Sequence, residues 1–227
     1  AKGQGVFTRV TWDEALAEIA ARMRDIRASH GGEAVLPFCY GGSNGLLTQD
    51  TNDAALFRAF GASRLARTVC AAPTGAAAQG LYGRMPGVTY QDYPHARLII
   101  LWGVNPAASG IHLVPYIKEA RQAGAALVVV DPRRTSLAKQ ADLHLAPRPG
   151  TDLPLALALH RYFFEGGFAD ERFLAAHAQG ADALRARAAE WTIARAAEVC
   201  GIPAEAIERL AVMYRDASPA LVRCGWG

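Results

Sequence analysis

The chain has 227 residues, 51% of them apolar, which is enough to bury a full core as one large domain or two small ones. Its 24 Lys and Arg against 21 Asp and Glu leave a formal charge of +3, too small and too mixed to form an extended field for nucleic acid or anionic lipid. No apolar run approaches the length of a bilayer span, so no membrane insertion is expected, and the four scattered cysteines include no C-x-x-C pair, which points to reduced thiols in a cytoplasmic protein.

The first helix is announced by Thr11, whose hydroxyl caps a free amide while Glu14 reaches back to complete a capping box. Leu16, Ile19, Ala20, Met23 and Ile26 then supply one apolar face. The short apolar run Ala34–Phe38 reads as a buried strand opening into the glycine-rich turn Gly41–Gly45. A helix is expected from about Thr48 to Phe60, and a small-residue loop around Cys70 enters another that is rich in alanine.

Leu98–Trp102 is apolar at every position, as a strand covered by helices on both sides must be, and Gly103 ends it. Ser109 is expected to cap the next helix, which carries Leu113, Ile117 and Ala120 on one side and stops at Gly124. The strand Ala126–Val130 leads straight into Asp131-Pro132, so that strand, helix and strand form a βαβ unit. A short strand at Leu143–Leu145 precedes Pro149-Gly150-Thr151-Asp152 and a helix with Leu155, Ala158, Leu159, Tyr162 and Phe163 at helical spacing. Residues 168–216 are helical in pattern, and Ala220–Cys224 reads as one more strand. The whole chain, 1–227, is therefore expected to be a single α/β domain with a Rossmann-like three-layer architecture. Its sheet should be mostly parallel, with helices on both faces and a helical segment toward the C-terminus.

In such sheets ligands collect at the carboxyl ends of the strands, and the unusual residues fall at those ends. Gly41–Gly45, Gly103-Val104-Asn105-Pro106, Asp131–Thr135 and Gly150–Asp152 form four turns that together suit a nucleotide. Taken singly, each is an ordinary turn or helix cap. Asp131, directly after a valine-rich strand, is placed to accept from ribose hydroxyls. Asp152 offers two acceptor oxygens to the adjacent N–H groups of a guanine edge, which adenine lacks. The G-x-G-x-x-G fingerprint of NAD and FAD sites is missing after every strand, as is a G-x-x-x-x-G-K-[ST] phosphate loop. Cys70 stands where a helix N-terminus favours thiolate, the form that binds soft metals, although a buried small residue would fit the same window. Cys39, Cys200 and Cys224 lie in or beside apolar segments and read as core residues.

Trp12-Asp13-Glu14-Ala15, the Gly41–Gly45 turn, the Cys70 loop, Trp102-Gly103-Val104-Asn105-Pro106, Val130-Asp131-Pro132-Arg133, Pro149-Gly150-Thr151-Asp152 and Gly225-Trp226-Gly227, in this order, resemble the molybdopterin oxidoreductase family. That family includes formate dehydrogenases, periplasmic and assimilatory nitrate reductases and dimethyl sulfoxide reductase. The resemblance implies a molybdenum bis(molybdopterin guanine dinucleotide) cofactor, with Cys70 as the catalytic protein ligand to the metal. By the same matching, Asn44, Trp102, Gly103, Asn105, Pro106 and Ser109 contact the cofactor. Asp131, Pro132, Arg133 and Thr135 meet its nucleotide, and Gly150, Thr151 and Asp152 meet its guanine end.

The implied reaction is two-electron redox chemistry on a small-molecule substrate, with electrons relayed through a 4Fe-4S cluster in an N-terminal region outside these residues. The chain then reads as the central fragment of a catalytic subunit, inactive in isolation, whose partners are the remainder of that subunit and an electron-transfer subunit. Formate dehydrogenases of the family commonly carry histidine after the metal ligand, and here Ala71 follows Cys70, which counts against formate. A cysteine at the ligand position counts against the serine-ligated sulfoxide reductases. The alternative function is an electron-transfer or structural module of the same fold that has lost the molybdenum site.

Overall fold

The computed structural model describes residues 3–38, 52–66, 69 and 71–225. Their contacts divide into two compact units, residues 1–72 and 73–227.

The first unit contains helix α1 (Trp12–His30) and helix α2 (Asn52–Phe60). The expected capping box is present: the Glu14 amide donates to Thr11 Oγ1 at 3.2 Å, and the Thr11 amide donates to Glu14 Oε2 at 2.7 Å. The segment expected to be a strand at Ala34–Phe38 is not one. Gly32–Ala34 form a 3₁₀ turn, and the Val35 carbonyl accepts from the Ser63 amide at 3.0 Å instead of from a sheet neighbour. Pro37 removes a donor that a ladder needs, and Leu36 and Phe38, which share one face of the run, are both exposed, so that face has no layer to pack against among the described residues. The expected start of α2 at Thr48 and the Gly41–Gly45 turn lie outside the described residues.

The second unit is an α/β sandwich in three layers. Helix α3 (Ala71–Tyr82) begins at the residue after Cys70 and crosses into this unit. Strand β1 (Leu98–Trp102) is followed by the short α4 (Pro106–Ser109), α5 (Val114–Gln122), β2 (Ala126–Val130) and β3 (Leu143–Leu145). Next come α6 (Asp152–Glu165), α7 (Glu171–His177), α8 (Ala181–Ala188), α9 (Ile193–Cys200), α10 (Ala204–Asp216) and β4 (Ala220–Cys224). The strands run β3-β2-β1-β4, and every pairing is parallel.

The apolar runs of β1 and β2 alternate between two cores, which explains why they show no polar face. Leu98, Ile100, Val128 and Val130 pack with Leu143 and Leu145 against Leu155, Ala196, Cys200, Ile207 and Leu210 from α6, α9 and α10. Ile99, Leu101, Leu127 and Val129 face the other way, onto Tyr93, Leu113, Ile117, Ala120 and Leu137. Helices from β1 to β2 therefore cover one face, and the helices between β3 and β4 cover the other.

Ser109 does not cap a long helix. Its amide and hydroxyl both donate to the Asn105 carbonyl, ending the one turn of α4, and α5 starts later, with a proline in the first turn where no amide is needed. Gly124 does stop α5 region geometry as expected, with φ of 95° just past the helix end.

Candidate functional site at the carboxyl edge of the sheet

The parallel register lines up the last residues of all four strands. Trp102 lies opposite Val130 and Cys224, and Val130 lies opposite Leu145, so the chain leaves the sheet four times along one edge. The order β3-β2-β1-β4 reverses direction between β1 and β4, which is the point where open α/β sheets form a crevice for ligands.

At that point two backbones come very close. The Gly225 amide donates to the Trp102 carbonyl at 2.9 Å, and the Gly103 amide donates to the Val130 carbonyl at 2.8 Å. A Cβ built on Gly225 would stand 1.9 Å from the Gly103 carbonyl oxygen, and Gly103 itself has φ of 60°, so both positions demand glycine. Asn105 follows on the same loop. Its side-chain carbonyl oxygen is buried and accepts no hydrogen bond among the described residues. A buried acceptor without a donor costs about 1–3 kcal/mol, so this atom is one that a bound group with an N–H or O–H would satisfy. Pro106 is buried beneath it at the start of α4.

After β2, Asp131 is half-buried, and its Oδ1 accepts from the Arg133 amide at 2.7 Å, which folds the Asp131–Arg133 turn back on itself. Its carbonyl oxygen is 2.9 Å from His144 Nε2; a carbonyl only accepts, so that nitrogen carries the proton. Thr135 Oγ1 accepts from the Ala138 amide at 3.2 Å, while Pro132 and Arg133 are exposed. After β3, Gly150 adopts φ of 85°, and the Thr151 hydroxyl donates to the Arg148 carbonyl at 2.7 Å. Asp152, in the first turn of α6, accepts from the Trp102 indole Nε1 at 2.7 Å.

The fold therefore gathers Trp102, Gly103, Asn105, Pro106, Asp131–Thr135 and Gly150–Asp152 along one edge, with Ser109 one helical turn beyond Asn105. Asn44 and Cys70 lie outside the described residues. Sequence reasoning assigned no role to Gly225, His144 or Arg148. A glycine right after a strand was the available signal for the first; the other two act through contacts that no local pattern records.

The two described cysteines differ from the sequence expectation in one respect. Cys200 is fully buried and donates to the Thr151 carbonyl at 3.3 Å, as a core residue with one polar contact. Cys224 is not in the core: it ends β4 at the exposed side of the sheet. Although the residue is exposed overall, partial desolvation of its sulfur holds the thiol above its ordinary pKa; the Arg223 guanidinium opposes this and Asp152 adds to it, so the group stays protonated near neutrality. A protonated thiol is a poor metal ligand. A separate concavity of about 670 Å³ lies within the first unit, lined among others by Glu33, Phe57, Arg58 and Ser63. Among the described residues it contains none of those at the strand ends and no unsatisfied buried atom, so the sheet edge is the stronger candidate.

A family model described as molybdopterin oxidoreductase matches residues 2–219. The chain is 32% identical to the probable oxidoreductase YoaE of Bacillus subtilis over its whole length, which is 33% of that protein. It is 29% identical to the assimilatory nitrate reductase catalytic subunit of the same organism, with 94% of this chain aligned to 30% of that one. Against formate dehydrogenase H of Escherichia coli the identity is 27%, with 98% of this chain covering 32% of the enzyme. Among solved structures, the acetylene hydratase of Pelobacter acetylenicus matches 99% of the chain, and 30% of its own, at a TM-score of 0.69 and 27% identity. The chain thus spans about a third of the length of these relatives.

Proposed function

The chain belongs to the molybdopterin oxidoreductase family, and on that premise we propose that it is the cofactor-binding central part of a molybdenum oxidoreductase, holding the nucleotide end of a molybdenum bis(molybdopterin guanine dinucleotide) group at the carboxyl edge of its sheet. The family implies a molybdenum–pterin cofactor, and the residues at this edge suit one. The observation that carries the proposal is the buried Asn105 oxygen that lacks a donor, on the loop that leaves β1 where the strand order reverses.

When bound, the molybdenum–pterin group supplies two-electron redox chemistry; the protein supplies orientation and electrostatics. Asn105 Oδ1 accepts from the bound group, and the open space where a Gly103 side chain would stand leaves room for it to approach. Asp131 keeps one carboxylate oxygen in its own turn, and among the described residues no donor reaches the other, which is left for a ribose hydroxyl. Arg133 is exposed beside it and is suited to a phosphate. Asp152 presents an acceptor-only carboxylate to the N–H edge of guanine. Pro132, Thr135, Gly150 and Thr151 hold the two turns in shape.

Cys70 is assigned as the protein ligand to molybdenum. Electrons are assigned to a 4Fe-4S cluster outside this chain and then to an electron-transfer partner, with a small molecule as the substrate. Two experiments test this reading. In the complete subunit, Cys70→Ala is expected to abolish turnover while circular dichroism and thermal unfolding stay unchanged; retained activity would remove Cys70 from the metal. Molybdenum and pterin assayed on the isolated 227-residue chain are expected well below one equivalent; a stoichiometric and active isolated chain would overturn the assignment of missing parts.

A further inference from the structure

The assignment of Asp152 to guanine, on which this inference rests, leaves open what aims its carboxylate. An aspartate in the first turn of a helix ordinarily turns back to the free backbone amides there. Asp152 instead bonds to an indole fifty positions earlier, Trp102 Nε1, at 2.7 Å. That indole cannot follow a moving partner: Trp102 is the last residue of β1, paired on both sides, and its ring packs against the core formed by Leu98, Ile100 and the α6, α9 and α10 side chains.

The backbone beneath Asp152 is fixed as well. The Arg148 amide donates to the Cys200 carbonyl at 2.8 Å, the Arg148 guanidinium reaches the Glu198 carbonyl at 3.2 Å, and the Cys200 thiol donates to the Thr151 carbonyl at 3.3 Å. The turn before Asp152 is therefore fastened to the carboxyl end of α9, where a cation is favoured by the helix dipole.

We propose that Trp102 is a positioning residue that orients the Asp152 carboxylate for guanine and so sets the preference for guanine over adenine nucleotides. A carboxylate offers about four lone-pair positions, and the indole occupies one, so both oxygens remain able to accept. Guanine brings two adjacent N–H donors to that edge. Adenine brings one donor beside a ring nitrogen that is itself an acceptor, which a fixed carboxylate repels. A carboxylate free to rotate would discriminate less, because it could swing away from the adenine nitrogen; the indole removes that freedom before the ligand arrives.

The test uses GDP and ADP as probes, titrated into the complete, cofactor-free subunit, unmutated and as Trp102→Phe and Asp152→Asn, with affinities read by NMR shift changes so that weak binding is measurable. Trp102→Phe keeps an aromatic ring in the core and removes only the N–H. It is expected to weaken GDP about tenfold, or about 1.4 kcal/mol, while ADP binds as well as before or slightly better. A purely structural role would weaken both nucleotides alike, and that result overturns the proposal, as does an unchanged GDP preference. Should Trp102→Phe fail to fold, the indole N–H signal of Trp102 in the unmutated chain decides. It is expected to move with GDP and to stay with ADP, and a signal indifferent to bound GDP contradicts the proposal. If Asp152→Asn retains the full GDP preference, or the unmutated chain has none, the guanine reading fails and this inference with it. Loss of preference in Asp152→Asn but not in Trp102→Phe sinks the role of Trp102 alone.

Discussion

In the second unit β1 buries Leu98 through Leu101 and β2 buries Leu127 through Val130, whereas α1 and α2 of the first unit contain no buried residue. On α1, Leu16 and Ile19 are more than half exposed although they belong to a clear apolar stripe. What defines α1 is local chemistry: the capping box at Thr11, the Glu18–Arg22 pair one turn apart, and Gly31 at its end with φ of 84°. The sheet is defined by burial. A periodic apolar stripe thus identifies a helix without telling whether anything covers it, while the uninterrupted apolar runs of β1 and β2, each paired with neighbouring strands, are covered on both faces.

This contrast can be broken by truncation. Ile117→Ala or Leu101→Ala, each removing a side chain with almost no solvent exposure, is expected to cost about 2–5 kcal/mol in urea unfolding. Leu16→Ala on α1 is expected to stay within about 0.5 kcal/mol. Equal losses at the two places would show that the stripe on α1 is as deeply engaged as the sheet.

Next in size is Gly225→Ala. Its added methyl would meet the Gly103 carbonyl, so the ends of β1 and β4 must separate, at a cost of about 1–3 kcal/mol in the same unfolding experiment. No loss would mean that the two loops can part freely and that the close approach of Gly225 to Gly103 is not as described. Thr11→Ala, which deletes the α1 cap, is expected to lower stability by about 1 kcal/mol, with helix content falling in circular dichroism. The smallest effect concerns pH. Hydrogen bonds from the Thr11 amide and hydroxyl hold the Glu14 carboxyl below its ordinary pKa. Its contribution is therefore complete above the ordinary carboxylate range and is lost as pH falls through the lowered value. An NMR titration of Glu14 should show an inflection lower than in Thr11→Ala, and coincident curves would remove the box from the account.

The elements read most easily from sequence were those whose physics is local or wholly apolar. β1, β2, β3 and β4 all stand where their runs of Leu, Ile and Val put them, and the Asp131 and Gly150 turns fall at the strand ends. The Ala34–Phe38 run misleads because apolar character alone does not supply a neighbouring strand; Ser63 takes the Val35 carbonyl instead. Ser109 misleads because a hydroxyl can end a turn by bonding to the carbonyl four residues back as well as begin one. The Trp102–Asp152 bond and the fastening of Arg148 to α9 join residues about fifty positions apart, a separation at which no periodicity carries information.

The central claim is that the carboxyl edge of the sheet receives a guanine nucleotide, and hydrogen exchange with and without saturating GDP tests it most directly. The account predicts slower exchange in residues 102–109, 131–135 and 148–153, the three loops that leave β1, β2 and β3. Protection confined to the Glu33–Leu65 concavity of the first unit, or none at saturation, would contradict it.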